Sequence, residues 1–122
     1  MTSRGRGDLF SPECPTRQIL DRVGTKWTSM VLEALSASGE LRFSELRRGI
    51  PGVSQKMLSS TLQSLVLDGL LARRVEDTVP PRVHYRLTEL GRSLEVPLGA
   101  LRAWAEEHAG EIDGHRTRAA TG

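Results

Sequence analysis

The stretch VPPRVHYRLTELG, residues 79–91, joins a proline pair to an alternating basic strand and then to a helix start. Between Arg82 and Leu87, apolar side chains alternate with Arg or His, which is typical of a strand with one packed face and one basic face. The two prolines restrict the backbone and cannot extend ladder pairing. Because a second strand-like run precedes them, residues 71–87 are predicted to form a β-hairpin with a charged outer surface.

A helix is predicted just before the hairpin, over about residues 54–68 (SQKMLSSTLQSLVLD). Ser54 suits its N-cap and Gly69 its end. Apolar residues at helical spacing form one face: Leu58, Leu62, Leu65 and Val66. The opposite face is short, neutral or cationic, and no acid occurs between Ser54 and Leu67. Such a face can lie against phosphates and base edges without electrostatic repulsion.

Four shorter elements, three helices and one extended stretch, are predicted on the N-terminal side. Pro15 suits the first position of a helix that ends at Gly24. A second helix should cover about residues 26–37, since apolar side chains recur there at three-and-four spacing. A short extended stretch, residues 41–43, then leads to a third helix that we expect Ser44 to cap.

The last helix is predicted to begin at Thr88 and to carry an apolar stripe to about residue 108. Pro97 should kink or split it, because proline removes a backbone donor and crowds the preceding turn. Polar, Gly- and Arg-containing sequence lies at both ends. We therefore expect flexible tails over residues 1–13 and 110–122.

The length of 122 residues predicts one domain, over residues 14–109, with a modest core that a partner surface would complete. The net charge is only +2. The distribution is uneven, since residues 41–92 hold nine Arg or Lys against five Asp or Glu, whereas residues 93–112 are acidic. One face could therefore meet an anion while another meets protein.

The single cysteine fits a reducing compartment because it cannot form a disulfide within the chain. No run approaches membrane-spanning length, and the N-terminus lacks the apolar stretch of a signal peptide. We expect a cytoplasmic protein without a membrane partner.

The predicted fold class is mainly α with a small β-hairpin (α+β). The order of elements is that of a winged helix-turn-helix, in which the second helix of the turn enters the major groove and the hairpin, or wing, reaches the flanking backbone. Residues 54–68 would then be the recognition helix and residues 71–87 the wing. The candidate DNA contacts are Ser54, Gln55, Lys56, Ser59, Ser60, Gln63, Arg73, Arg74 and Arg82.

Longer motifs resemble the HxlR family of bacterial transcription regulators, relatives of the MarR group. They are CPTRQILDRVGTKWTSMVLEAL, RFSELRRGIPGVSQKMLSSTLQSL, DGLLARRV, VPPRVHYRLTELGRSLEVPLGAL and Trp104. The resemblance implies a homodimer on a palindromic operator, with dimer contacts from the first and last helices, the latter over residues 88–109. The expected contacts are Ile19, Leu94, Leu98, Leu101 and Trp104. Repression is the expected mode and activation the alternative.

The chain departs from this family at three positions. Members often carry arginine in the middle of the recognition helix, where this chain has Thr61 and Gln63. They often carry an acid just before the wing tyrosine, where this chain has His84. The preferred operator, and the strength of phosphate contact, should therefore differ.

Cys14 directly precedes the first helix, where the positive end of the helix dipole favours a thiolate. The resemblance implies an oxidant- or electrophile-sensing thiol, because several members sense through a cysteine at this position. Oxidation could then give only a disulfide between subunits, a mixed disulfide or an adduct. The alternative is a small buried side chain at a dimer seam. A small-molecule effector between the subunits is a further partner that the sequence leaves open.

An enzyme and a protein-contact module are the two alternatives to DNA binding. An enzyme would need a nucleophile with a base, a carboxylate pair or a metal cluster. The three histidines, His84, His108 and His115, lie on different elements without ligand spacing, so we expect no catalytic residue, metal or cofactor. A winged helix used only for protein contact would show acids or exposed apolar groups on its recognition helix, and it remains the alternative.

Overall fold

The computed structural model describes residues 8–121, within which lie five helices and three strands. In chain order these are α1 (Pro15–Val23), α2 (Lys26–Ser38), β1 (Glu40–Arg42), α3 (Phe43–Gly49), α4 (Gln55–Leu67), β2 (Leu71–Glu76), β3 (Arg82–Leu87) and α5 (Glu89–Thr121). The predicted fold class, a mainly helical winged helix-turn-helix, is confirmed by this order.

The first two helices begin and end at local signals. Pro15 occupies the first turn of α1, and the N–H of Gly24 closes that helix by donating to the Leu20 carbonyl at 2.8 Å. The Thr25 hydroxyl caps α2 by accepting the Thr28 N–H at 3.2 Å. These short-range bonds explain why both helices could be predicted from sequence.

The two helices of the turn are α3 and α4. The predicted Ser54 cap of α4 is confirmed, since its hydroxyl accepts the Met57 N–H at 3.0 Å. The predicted Ser44 cap of α3 is wrong: that helix already begins at Phe43, with Arg42 as its N-cap. Here the Glu45 carboxylate accepts the Arg42 N–H at 2.8 Å, which satisfies a donor at the helix start in place of a serine cap.

The sheet has three antiparallel strands in the order β1-β3-β2. The wing pairs β2 with β3, placing Arg73 opposite Tyr85 and Glu76 opposite Arg82. The stretch that the sequence showed only as extended, β1, adds a third strand with Leu41 opposite Tyr85. This strand ties the base of the wing to the segment that leads into α3.

The core lies between α2, α3, α4 and the wing. Its leucines are almost completely inaccessible: Leu32, Leu35, Leu46, Leu58, Leu62 and Leu65. The side chains of Trp27 and Phe43 pack against this cluster from the partly exposed rim. Burying one face of α4 in this way leaves its opposite face to solvent.

The C-terminal helix is longer than predicted. The Thr88 hydroxyl caps it by accepting the Gly91 N–H at 3.1 Å, as expected, but the helix continues through Pro97 and past residue 109 to Thr121. Residues 110–121 lack a proline, the residue that most strongly ends a helix. The predicted C-terminal tail forms helix as far as Thr121, whereas most of the predicted N-terminal tail, residues 1–7, lies outside the described residues.

Candidate nucleic-acid interface

The outer face of α4 is exposed over the side chains predicted to contact DNA. The buried face holds Leu58, Leu62 and Leu65, and the predicted contacts on the other side are all solvent-exposed: Ser54, Gln55, Lys56, Ser59, Ser60 and Gln63. No acid occurs within Gln55–Leu67. An α-helix of this polarity fits the width of the major groove and offers hydrogen-bonding groups to it.

A depression between α4 and the wing brings together residues predicted separately from the two elements. Ser59 and Gln63 line it from the helix and Arg73 lines it from β2, with Tyr85 at its floor. Within residues 8–121, Arg73 forms no ion pair. Its guanidinium therefore remains available to an anion beside the recognition helix.

Arg82 occupies the tip side of the wing, directly after the proline pair. Its side chain is exposed and pairs with no acid within ion-pair distance in the described part of the chain. Lys56 on α4 is likewise exposed. Of the predicted contacts, the structure thus leaves Lys56 on the helix and Arg73 and Arg82 on the wing open to phosphate.

Arg74, by contrast, is engaged within the chain. Its Nη2 lies 2.8 Å from Oε1 of Glu40 on β1. His84 on β3 donates from Nε2 to Glu76 Oε1 at 2.7 Å. Strands β1, β2 and β3 each contribute to this group of charges, which extends from β1 at the base of the wing to Glu76 opposite Arg82. We call it the wing-base cluster: Glu40, Arg74, Glu76 and His84. Arg74 is therefore less available to DNA than Arg73.

Both acids of the wing-base cluster have shifted pKa values. The hydrogen bond from Arg74 lowers the pKa of the Glu40 carboxyl, and the hydrogen bond from His84 lowers the pKa of Glu76. In each case the partner stabilises the ionised carboxylate. The folded state therefore holds these protons less tightly than the unfolded chain does.

The wing-base cluster should make stability depend on acid pH. Because the folded pKa values are lowered, the stabilisation is present above the ordinary glutamate pKa of about 4.3 and is lost as the pH falls through the folded values. We expect the free energy of unfolding to decline below about pH 5, and to decline less steeply in the double variant Glu40→Gln, Glu76→Gln. Urea titrations across this range measure the slope.

The control for this experiment is Glu107→Gln, which removes an exposed acid that forms no ion pair within residues 8–121. Its pH dependence should follow that of the parent. Equal slopes for the parent and the double variant would contradict the assignment of the wing-base cluster.

Two basic side chains near the interface were not among the predicted contacts. Arg47 and Arg48 lie in the last turn of α3, and both line a depression that they share with Gln55 of α4. Arg47 Nη1 donates to Gln55 Oε1 at 3.3 Å. The signal in the sequence was the arginine pair itself, but its spacing from Gln55 does not reveal the contact because a turn separates the helices.

The residues predicted at a dimer seam fall into two groups. Ile19 on α1 and Leu101 and Trp104 on α5 are 48%, 61% and 51% exposed. Leu94 and Leu98 are half-buried and pack against the core cluster. An apolar groove lies beside them between α1 and α5, lined by Ile19, Val23, Leu70, Leu90, Leu94 and Pro97. Exposed apolar side chains at this density are typical of an interaction surface.

Cys14 is the N-cap residue of α1, as predicted, and its side chain is completely buried. Its backbone N–H donates to the Ser11 carbonyl at 3.0 Å, and its own carbonyl accepts the Gln18 N–H at 3.1 Å. The thiol is therefore held at the junction between the N-terminal turn and the first helix.

Over residues 8–121, no group of three or more His, Cys, Asp or Glu side chains could hold a metal ion. Nor does any helix in that range combine the length and the apolar character needed to cross a membrane.

An exposed acid-free helix, preceded by a short helix and flanked by a basic two-stranded wing, defines a winged helix-turn-helix transcription regulator. The model of the HxlR-like helix-turn-helix family matches residues 22–113, and the chain belongs to this family of DNA-binding regulators. The resemblance found in the sequence motifs is thereby confirmed.

Individual relatives agree with this assignment. The HTH-type transcriptional regulator YtfH of Escherichia coli is 44% identical over 106 residues, which cover 87% of this chain and 83% of that protein. The structure of ytfH from Salmonella typhimurium superposes with a TM-score of 0.85 at 41% identity, covering 91% of this chain and 98% of the other. The redox regulator HypR in its reduced form gives a TM-score of 0.73 at 36% identity, covering 82% and 98%.

Proposed function

We propose that two copies of this chain bind a palindromic operator and repress transcription from the promoter that contains it. The observation that carries the proposal is the exposed, acid-free face of α4 beside two wing arginines, Arg73 and Arg82, without acidic partners in residues 8–121. Two recognition helices related by a two-fold axis would reach half-sites about one helical turn, or 34 Å, apart. Occupation of a promoter by such a dimer blocks polymerase access.

Selection from randomised duplex DNA, combined with light scattering of the purified protein and its complex, tests this proposal. We expect an inverted repeat bound by two chains, and a reporter carrying that repeat should be silenced. If no sequence is enriched at moderate salt, the module serves protein contact instead. An enriched site whose reporter is activated would retain the DNA-binding assignment and overturn repression.

Arg82→Ala should weaken binding to specific and unrelated duplexes alike. The proline pair restricts the approach of Arg82 to the backbone, and a phosphate contact contributes to affinity through release of counterions. The slope of log K against log salt should become shallower by about one. Fluorescence anisotropy at several salt concentrations measures it, and Arg74→Ala is the control because Glu40 already engages that side chain.

A result in which Arg74→Ala flattens the salt dependence and Arg82→Ala does not would contradict these two placements. It would mean that Arg74 leaves Glu40 on binding DNA.

We infer further that Cys14 senses oxidants. Its place at the N-cap of α1, beside the predicted dimer seam, supports the inference, as does the likeness to the redox regulator HypR. Because the thiol is buried, the start of α1 must open locally before an oxidant can react with it. The product would be a disulfide between subunits, a mixed disulfide with a small thiol, or an adduct.

Cys14→Ser tests this inference. Treatment of the parent with a disulfide-forming oxidant or a quinone should release the operator, and a thiol reductant should restore binding where a disulfide has formed. The serine variant should bind the operator equally before and after treatment. Gel-shift titrations with mass spectrometry of the treated chain measure the response and identify the product. Release from the variant by the same treatment would show that Cys14 is structural only.

A further inference from the structure

The contact between Arg47 and Gln55 joins the two helices of the turn through their side chains. Arg47 Nη1 donates to Gln55 Oε1 at 3.3 Å, and both residues are exposed on the side of α3 and α4 that the proposed function turns toward DNA. The backbone on each side is fixed, because Leu46 is completely buried and Ser54 caps α4. Gln55 is the first residue of α4, in the N-terminal part of the helix that reaches base edges in this class of module.

The pairing fixes which way round the Gln55 amide lies. A guanidinium carries only donors, so the amide atom that faces Arg47 must be the carbonyl oxygen. This leaves the Nε2 group, with its two N–H bonds, as the part of Gln55 available to a ligand. Arg47 has further N–H groups of its own. The amide oxygen keeps a second lone pair, but it lies beside the positive charge of Arg47, which disfavours the approach of another donor's hydrogen. Toward a ligand the pair therefore acts as a donor.

The donor character of the Arg47–Gln55 pair affects which base it can recognise. Adenine is read by glutamine through two bonds, in which the amide oxygen accepts from N6 and the amide nitrogen donates to N7. The first of these competes with Arg47, whose positive charge also repels the N6 amino group. Guanine offers two acceptors, N7 and O6, and suits a pair that only donates.

We propose that Arg47 is a positioning residue that restricts Gln55 to donation and thereby selects guanine over adenine at one base position of each half-site. The proposal rests on the proposed function. Phosphate oxygens are acceptors too, so Arg47 and Gln55 could instead contact the DNA backbone. The experiment distinguishes a base contact from a phosphate contact, because only a base contact changes the base preference when it is removed.

The experiment compares selections from randomised duplex DNA for the full-length parent and four single variants. Gln55→Ala identifies the position, because the preference there should be lost. Arg47→Ala frees the amide oxygen, so the preference at that position should move from guanine toward adenine by about tenfold. Arg47→Lys keeps a donor beside the oxygen and should retain guanine. Arg48→Ala replaces the neighbouring arginine, which forms no hydrogen bond with Gln55 within residues 8–121, and as the matched control it should leave the base preference unchanged.

Three outcomes would overturn the proposal. The first is a parent preference for adenine at the position that Gln55→Ala identifies. The second is an Arg47→Ala profile equal to that of the parent. The third is a uniform loss of affinity in Gln55→Ala and in Arg47→Ala with every base preference intact. That result would mean that Arg47 and Gln55 contact phosphate and not a base. A parent that enriches no sequence would instead refute the proposed function itself.

Discussion

Replacing Leu101 and Trp104 together by lysine is expected to leave the protein monomeric and to weaken binding to a two-half-site operator by about 10²- to 10⁴-fold. The two side chains are 61% and 51% exposed and lie three residues apart on α5, so they share one face. In the proposed dimer this face is buried, and two ammonium groups per chain would have to be desolvated there. Without the second subunit, the gain from binding two linked half-sites is lost.

Light scattering and operator titrations measure the two effects separately. Affinity for a single half-site should match that of the parent, since α4 and the wing are unchanged. The matched control is Ala103→Lys with Glu106→Lys, an exposed pair on the opposite side of α5, which should remain dimeric. If the Leu101→Lys, Trp104→Lys variant remains dimeric and binds the operator as tightly as the parent, the subunits meet elsewhere.

Gly91→Ala should destabilise the fold by about 1–3 kcal/mol or more. Gly91 is buried in the first turn of α5, where an added Cβ would overlap the Leu70 carbonyl oxygen and come within 3.3 Å of Leu87 Cδ2. The obstructing group is backbone. It is also held in place, because the Leu70 carbonyl accepts the Thr88 N–H at 3.1 Å, so it cannot move aside without breaking the junction between the wing and α5.

Gly110→Ala in the same helix is the control for this prediction. An added Cβ there meets no atom within 4 Å, so alanine should raise the free energy of unfolding by about 0.5–1 kcal/mol through its lower conformational entropy in the unfolded chain. Denaturant titrations at one protein concentration compare the two variants, since the proposed dimerisation would make stability depend on concentration. Equal stability of the parent and Gly91→Ala would mean that the start of α5 can shift away from Leu70.

The two alanine substitutions are expected to change the free energy of unfolding in opposite directions, which the sequence alone would not predict. Both residues lie in α5, and helix propensity alone predicts a similar gain for each. Only the approach of Leu70, which precedes Gly91 by a whole hairpin, makes the first substitution harmful. A contact of that kind depends on how the elements pack.

The sequence by itself determined the family, the order of elements and the exposed face of α4. These follow from short-range rules: apolar spacing along α4, the Ser54 and Thr88 caps, and strand alternation from Arg82 to Leu87. Each rule acts within a few residues and so can be read along the chain.

The tertiary structure alone decided which of the basic side chains remain available and which partner orients Gln55. Arg74 is engaged by Glu40, which lies 34 residues away along the chain, and Gln55 is oriented by Arg47 across the turn. The physical reason is that a side chain's partner depends on strand register and helix packing, which bring together residues that the sequence keeps apart.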